Sequence, residues 1–224
     1  MEGGIFSSLF VPPIERKRKG DSMNRYQLLD KENLQFISEE ELISDFLIKD
    51  CEIKNIEEKI FISNCIVENV VFTECNLDKI DIYKTKFIHC DMSNINMSNA
   101  VLNECFFVNC KMMGTNISSS SMNNIVFNNV MAQYINATDI KTKKCKFINS
   151  NFSNSYFNNS ILSRIELEGN DFREAWFNGV ELKNIDFSSC NIDGIKVDIE
   201  DIEGVKVNMA QAIELIRLLK VQIL

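Results

Sequence analysis

From Ile62 to Val197 an apolar residue returns at every fifth position, beginning Ile62, Val67, Phe72, Leu77, Ile82 and Phe87 and ending Leu182, Phe187, Ile192 and Val197. Of these 28 positions 27 are apolar, Thr142 being the exception, where an overall apolar content of 45% would fill about half by chance. A short fixed period marks a solenoid, because one unit cannot bury its apolar side alone and must stack on its neighbours. A second inward series runs two positions ahead, from Ile60, Cys65, Val70 and Cys75 to Ile185, Cys190 and Ile195. Residues two apart share one face of an extended strand. The residue between them, such as Asn76, Asp81, Asp91, Asn151, Asp171 or Asp186, and the two that follow are mostly polar. Each unit therefore predicts a short extended piece followed by a turn.

The last position of the unit is rich in asparagine (Asn64, Asn69, Asn94, Asn99, Asn124, Asn129, Asn149, Asn154, Asn159), a residue whose side chain bonds to nearby backbone in turns. All five glycines beyond residue 22 (Gly114, Gly169, Gly179, Gly194, Gly204) fall there too, where a tight corner favours relaxed backbone sterics. No proline follows Pro13, as a stack that bonds every N–H to a neighbouring coil requires. At Ala132, Ala137 and Thr142 the central side chain shrinks while its partner grows to Val130, Ile135 and Ile140, which conserves core volume and predicts an unbroken stack there.

The ends are less regular. Phe46/Ile48 and Cys51/Ile53 fit one residue out of phase, which places a single-residue slip between Lys54 and Lys59. The expected organisation is a disordered leader over 1–22, with Met23 a candidate start, a lead-in over 23–45, the repeat over 46–207, and a cap over 208–224. Ser38-Glu39-Glu40-Glu41 reads as a helix start in the lead-in. Asn208 reads as the N-cap of a helix in which Met209, Ala212, Ile213, Ile216 and Leu219 form one stripe, with Leu215 and Leu218 on another face. Two apolar faces need two coverings: one closes the end of the solenoid and the other meets a second copy. Leu215, Ile216, Leu218, Leu219, Val221 and Ile223 are the candidate dimer residues.

Charge sharpens this picture. The formal net charge is −8, yet residues 1–22 carry +1, leaving −9 on the remainder. Between Glu166 and Glu203 lie eleven acids (Glu166, Glu168, Asp171, Glu174, Glu181, Asp186, Asp193, Asp198, Glu200, Asp201, Glu203) against Arg173, Lys183 and Lys196. Lysines instead fill the middle, at 79, 84, 86, 111, 141, 143, 144 and 146. Acid thus concentrates beside the expected dimer seam, either to meet a basic, DNA-handling protein or simply to solvate a thin rod. Direct nucleic-acid binding is not expected of such a surface.

Conventional enzyme chemistry is hard to find. All eight cysteines (Cys51, Cys65, Cys75, Cys90, Cys105, Cys110, Cys145, Cys190) follow the repeat phase and read as packing thiols rather than metal ligands or disulfides. As free thiols they favour a reducing compartment, hence the cytoplasm. His89, the only histidine, sits at an outward turn. No glycine-rich phosphate loop and no stretch of 18 apolar residues occurs. No cofactor, metal or membrane partner is expected, and catalysis is not. Trp176, outward among acids, is either a contact anchor or a shield for the rod.

Units such as Cys75-Asn-Leu-Asp-Lys79, Cys90-Asp-Met-Ser-Asn94, Ser150-Asn-Phe-Ser-Asn154 and Cys190-Asn-Ile-Asp-Gly194 resemble the pentapeptide-repeat proteins. That resemblance implies an all-β right-handed quadrilateral β-helix, four units to a coil and about seven to eight coils, with a C-terminal capping α-helix; at ~4.8 Å per coil the rod is roughly 35 Å long. The ending, Asp201-Ile-Glu-Gly-Val-Lys-Val-Asn-Met-Ala-Gln-Ala-Ile-Glu-Leu-Ile-Arg-Leu-Leu219, is similar to the cap of the Qnr and mycobacterial fluoroquinolone-resistance group. The group's properties then become expectations: an end-to-end homodimer, a DNA-mimicking acidic rod, and a type II topoisomerase partner (DNA gyrase or topoisomerase IV) protected from quinolones. Several Qnr members project loops, and the unbroken phase from Ile62 to Val197 leaves no room for one. A protein-interaction scaffold, or an immunity factor against a gyrase-directed toxin, is the alternative.

Overall fold

The structure, a computed structural model, describes residues 26–29, 42–56 and 60–218. They form a four-sided parallel β-solenoid. On the first side seven strands stack in the order Leu42–Ser44, Phe61–Ser63, Asp81–Tyr83, Val101–Asn103, Ser121–Asn123, Lys141–Lys143 and Ile161–Ser163. The second side stacks eight, Gln27–Leu29, Phe46–Lys49, Ile66–Glu68, Lys86–Ile88, Phe106–Val108, Val126–Asn128, Lys146–Ile148 and Glu166–Glu168. From Phe61 onward each strand pairs with the one twenty residues later, as Leu102 with Met122, so four units close one coil. The first coil is a residue shorter: Leu42 pairs with Phe61 and Ile53 with Phe72, consistent with a slip between Lys54 and Lys59. The ladder also reaches upstream of residue 46, since Leu42–Ser44 and Gln27–Leu29 belong to it. The leader and the Ser38–Glu41 helix start lie outside the described residues.

Both inward series point into the tube. Phe87, Phe107 and Phe127 are fully buried and stack ring on ring with 5.0 Å between successive centroids, close to the rise of one coil. Each such burial contributes ~1.5–3 kcal/mol. At the volume exchange Ala132, Ala137 and Thr142 stay buried beside Val130, Ile135 and Ile140, and the stack runs through them unbroken.

Corners carry the strain. Every fifth residue from Asn64 to Asn184 has positive φ, for example Asn124 at 57° and Asn154 at 57°, the region that asparagine and glycine enter most readily. At Gly179 (φ 72°) a Cβ would also lie 2.7 Å from Asn159 Oδ1 of the preceding coil. Corner asparagines do not bond locally as the sequence suggested. Several bond instead to the corner of the preceding coil: Asn129 Nδ2 donates to Asn109 Oδ1 (2.6 Å) and Asn69 Nδ2 to Asp50 Oδ1 (3.0 Å). The local bond is made by the acceptor two residues into the unit instead, as when Asp91 Oδ1 accepts from Ser93 N–H (3.1 Å) or Asn151 Oδ1 from Ser153 N–H (2.9 Å).

That second position biases the shape of each side. Where it is Val, Ile or Phe, as at Val101, Phe106, Val126 and Ile161, the side is an extended strand, whereas Tyr156 and Trp176 stand on tight sides. Where it is Asp or Asn, the side usually tightens to a single bridge and a turn, closed by bonds such as Ile80 N–H to Leu77 O (3.1 Å). Between Ile80 and Asn170 every coil has two adjacent extended sides and two tight ones.

The final coils break this arrangement. Here the first and second sides also tighten: Ile185 N–H bonds to Leu182 O (3.0 Å), Cys190 N–H to Phe187 O (2.8 Å), and Asp186 Oδ1 accepts from Ser188 N–H (2.9 Å). No backbone hydrogen bond joins 161–168 to 181–188, whereas the other two sides keep theirs through Asp171 with Asn191 and Trp176 with Lys196. The wall is open along the first side and most of the second, where only the Ser189 hydroxyl crosses, accepting from Gly169 N–H (3.3 Å) and donating to Leu167 O (3.5 Å). Leu162, Ile165 and Leu167, inward like the rest, are therefore only half-buried.

The chain ends in the helix Met209–Leu218. Asn208 Oδ1 accepts from Gln211 N–H (3.0 Å) while Gln211 Oε1 accepts from Asn208 N–H (2.8 Å), a reciprocal capping box that bears out Asn208 as N-cap. Gln211 is itself buried, and its Nε2 donates to Cys190 O (2.6 Å) and adds a second bond to Phe187 O (2.8 Å), which already accepts from Cys190 N–H.

Candidate functional site: the acidic C-terminal coils

The acids gathered between 166 and 203 all lie on the outside, with Asp171 and Asp201 half-buried and the others exposed. They do not form one face. Glu166, Glu168 and Asp186 sit on the second side, Asp171 and Asp193 on the third with Glu174 at its corner, Asp198 on the fourth, and Glu181, Glu200, Asp201 and Glu203 on the first. Negative charge therefore encircles this end of the rod.

Their roles differ. Four are paired with cations: Asp171 with Arg173 (2.7 Å), Glu174 with Lys196 (2.7 Å), Glu166 with Lys146 (2.5 Å) and Glu203 with Lys183 (3.6 Å). Two hold backbone or amide groups: Asp198 accepts from Asn178 Nδ2 (2.8 Å) and Asp201 from Gly179 N–H (2.9 Å). At Asp171 partial burial raises the carboxyl pKa, but the bonds and charge of Arg173 outweigh that and hold it below the usual carboxylate range. Bonds from Ser188 lower Asp186 in the same way. Glu168, Glu181, Asp193 and Glu200 have no cation within ion-pair distance among the described residues, and so carry the charge most open to a partner.

Two further features accompany the acids. Tyr156 and Trp176 stand on the fourth side with ring centroids 6.1 Å apart, and each is more than 40% exposed. On the first two sides Lys141, Lys143, Lys144 and Arg164 are exposed close to one another, with Lys146 beside them. In the sequence these lysines read only as a basic middle; the twenty-residue closure is what brings Arg164 over them.

The helix corrects one expectation. Leu215 and Leu218, expected among the dimer residues, pack against the core and so belong to the face that closes the tube. Met209 (82% exposed) and Ile213 (41%) hold the outer face, with Ile216 at its edge. A 100° turn per residue separates Leu215 from Ile213 and puts the former over the open end. Leu219, Val221 and Ile223 lie outside the described residues.

All eight cysteines are buried and free. Burial pushes the Cys105 thiol up to about 11, and the thiol donates to Asn103 O and Ile82 O, a packing role with no nucleophile in it. His89 is an exposed corner residue (φ 54°).

Comparison with known proteins agrees with this architecture. A family model described as a pentapeptide repeat region matches residues 80–151, and one described as pentapeptide repeats (8 copies) matches residues 150–188. No curated protein matches the chain. Among solved structures it is similar to trypsin-treated QnrB1, a plasmid-mediated fluoroquinolone resistance protein, at 20% identity and a TM-score of 0.46, covering 78% of this chain and 100% of that one. Full-length QnrB1 matches at 19% identity and 0.38, over 77% and 99%. HetL, a pentapeptide-repeat protein involved in heterocyst differentiation regulation from the cyanobacterium Nostoc, matches at 10% and 0.26, over 70% and 86%. Residues 80–188 thus match pentapeptide-repeat models, on a four-sided stack with a corner every fifth residue that continues on both sides of the matched stretch.

Proposed function

We propose that this protein binds a type II topoisomerase, DNA gyrase or topoisomerase IV, by offering an acidic rod in place of DNA, and so protects the enzyme from quinolones. One observation carries the reading: eleven acids against three cations encircle the coils next to a C-terminal helix on which Met209 and Ile213 are exposed among the described residues. Two copies joined through that helix double the charge at the seam, where a basic saddle shaped for duplex DNA would dock. The role is binding, with no catalytic step. The five-residue phase leaves no projecting loop between 62 and 197, so in this reading surface charge does the work.

The test is a gyrase supercoiling assay with and without a fluoroquinolone. Glu168, Glu181 and Asp193 take part in no ion pair, so changing them together to lysine alters charge with least effect on the fold. Protection by the parent protein and its loss in the triple variant are expected; undiminished protection by the variant sinks the charge mechanism. Sedimentation of Ile216→Glu, expected to be a monomer, tests the seam separately. A pull-down that recovers a partner but no topoisomerase subunit would favour the scaffold or immunity-factor alternative.

A further inference from the structure

The open stretch of wall between 161–168 and 181–188 has the chemistry of an unfilled strand position. In the coils above it, the amide of a central or corner residue regularly bonds to the coil that follows, as Lys144 N–H does to Ser163 O (3.1 Å) and Phe152 N–H to Asp171 O (2.7 Å). The amides of Leu162, Arg164 and Leu167, and the carbonyls of Ser160 and Ile165, occupy the same places in the pattern and have no backbone partner. Such an edge is a template for another strand. Leu162, Ile165 and Leu167 are half-exposed there, and Ile161, at 58%, is among the most exposed apolar residues described.

Space and charge match that template. A cavity of about 420 Å³ lies between the two coils on the first side, lined among others by Asn159, Ile161, Leu162, Gly179, Glu181 and Asn184. This solvent-open groove is many times what one water needs, and is room for a length of chain. On the rim Glu168 and Glu181 have no cation within ion-pair distance, Asp186 accepts from Ser188 and feels the charge of Lys206, and Lys183 is already paired with Glu203. The outward side chains of an incoming strand would face this surplus of acid.

We propose that the opening receives an extended segment of a partner protein, which pairs with the edges of Ile161–Ser163 and Glu166–Glu168 and carries lysine or arginine on its outward side. Its inward side chains are apolar and cover Leu162, Ile165 and Leu167. A segment long enough to line both sides bends beside Arg164 (φ 53°) and Asn184 (φ 65°) and needs glycine or asparagine at the bend. This does not rest on the topoisomerase reading, and its test contains no topoisomerase.

The probe is a fluorescein-labelled peptide alternating valine and lysine around a central glycine. Anisotropy on the full chain should saturate, and affinity should fall at least about tenfold, or ~1.4 kcal/mol, when alternate peptide amides are N-methylated or the lysines become glutamates. Hydrogen exchange should show the amides of Leu162, Arg164 and Leu167 slowed by the peptide. Glu181→Lys, with its circular dichroism unchanged, should weaken the lysine peptide and strengthen the glutamate one. Absent saturation, or binding indifferent to N-methylation, overturns the proposal. So does a free protein whose 161–168 amides exchange as slowly as those of 121–128, because the wall is then already closed.

Discussion

Two places in this rod change from an extended side to a tight one, and only one survives the change. On the third side Val71–Thr73 is extended and Asp91, one coil later, begins a tight turn; the ladder continues, with Asp91 N–H on Val70 O (2.9 Å) and Phe72 N–H on Asp91 O (2.8 Å). On the first and second sides the change falls on two neighbouring sides at once, at 181–188, and the corner between them has no unchanged side to hold it. There the bonds fail. A solenoid wall tolerates a change of shape on one side of a coil and opens when two adjacent sides change together.

The largest expected contrast between the body and this end is in core mutants. Phe107→Ala, in the middle of a closed stack, should cost about 3–5 kcal/mol by denaturant unfolding, and Leu167→Ala, at the open wall, less than half of that. Equal losses would mean that the wall is closed in solution. Gln211→Ala removes both donors that cap the last coil and should cost about 1–3 kcal/mol, with amide exchange quickening near Phe187 and Cys190 but not near Phe107. Global loosening would show instead that the helix supports the whole rod. Asp186→Val replaces the turn-forming acceptor by a strand former. It should return the second side to an extended strand, slow the exchange of Leu167 and stabilise by a few tenths to ~1 kcal/mol; unchanged exchange would place the cause elsewhere in the coil.

The smallest effect is in acid. The carboxyls of Asp171 and Asp186 are held below their unfolded values, so each stabilises the fold above the ordinary carboxylate pKa, and that stability is lost as pH falls through the lowered folded value. Asp171→Asn should flatten the acid limb of a pH-stability curve measured by thermal melting, and a curve that stays as steep would assign it to other groups.

Much of this was legible in the chain. Period, corners, buried thiols and the N-cap at Asn208 follow from single positions that repeat, and repetition averages out local exceptions. The open wall was not, because Leu162, Leu167, Leu182 and Phe187 keep perfect phase across it. Its signal lies in the residue between the inward pair, where a column reading Ile66, Lys86, Phe106, Val126, Lys146 and Glu166 turns to Asp186. Asparagine at the corners misled for a related reason: its conformational preference was correct, but its partner is twenty residues away and not two. The split of the helix faces depended on where the rod ends beneath it, which a helical wheel does not contain.

Closure at twenty residues also makes length a matter of angle. Adding or deleting one unit in the body would advance everything downstream by a quarter turn, swinging the open wall and the helix away from the lysines at 141–146, while a change of four units would slide them along the axis with their bearing kept. Relatives of this chain that keep a common arrangement of charge and wall should therefore differ in length by multiples of twenty.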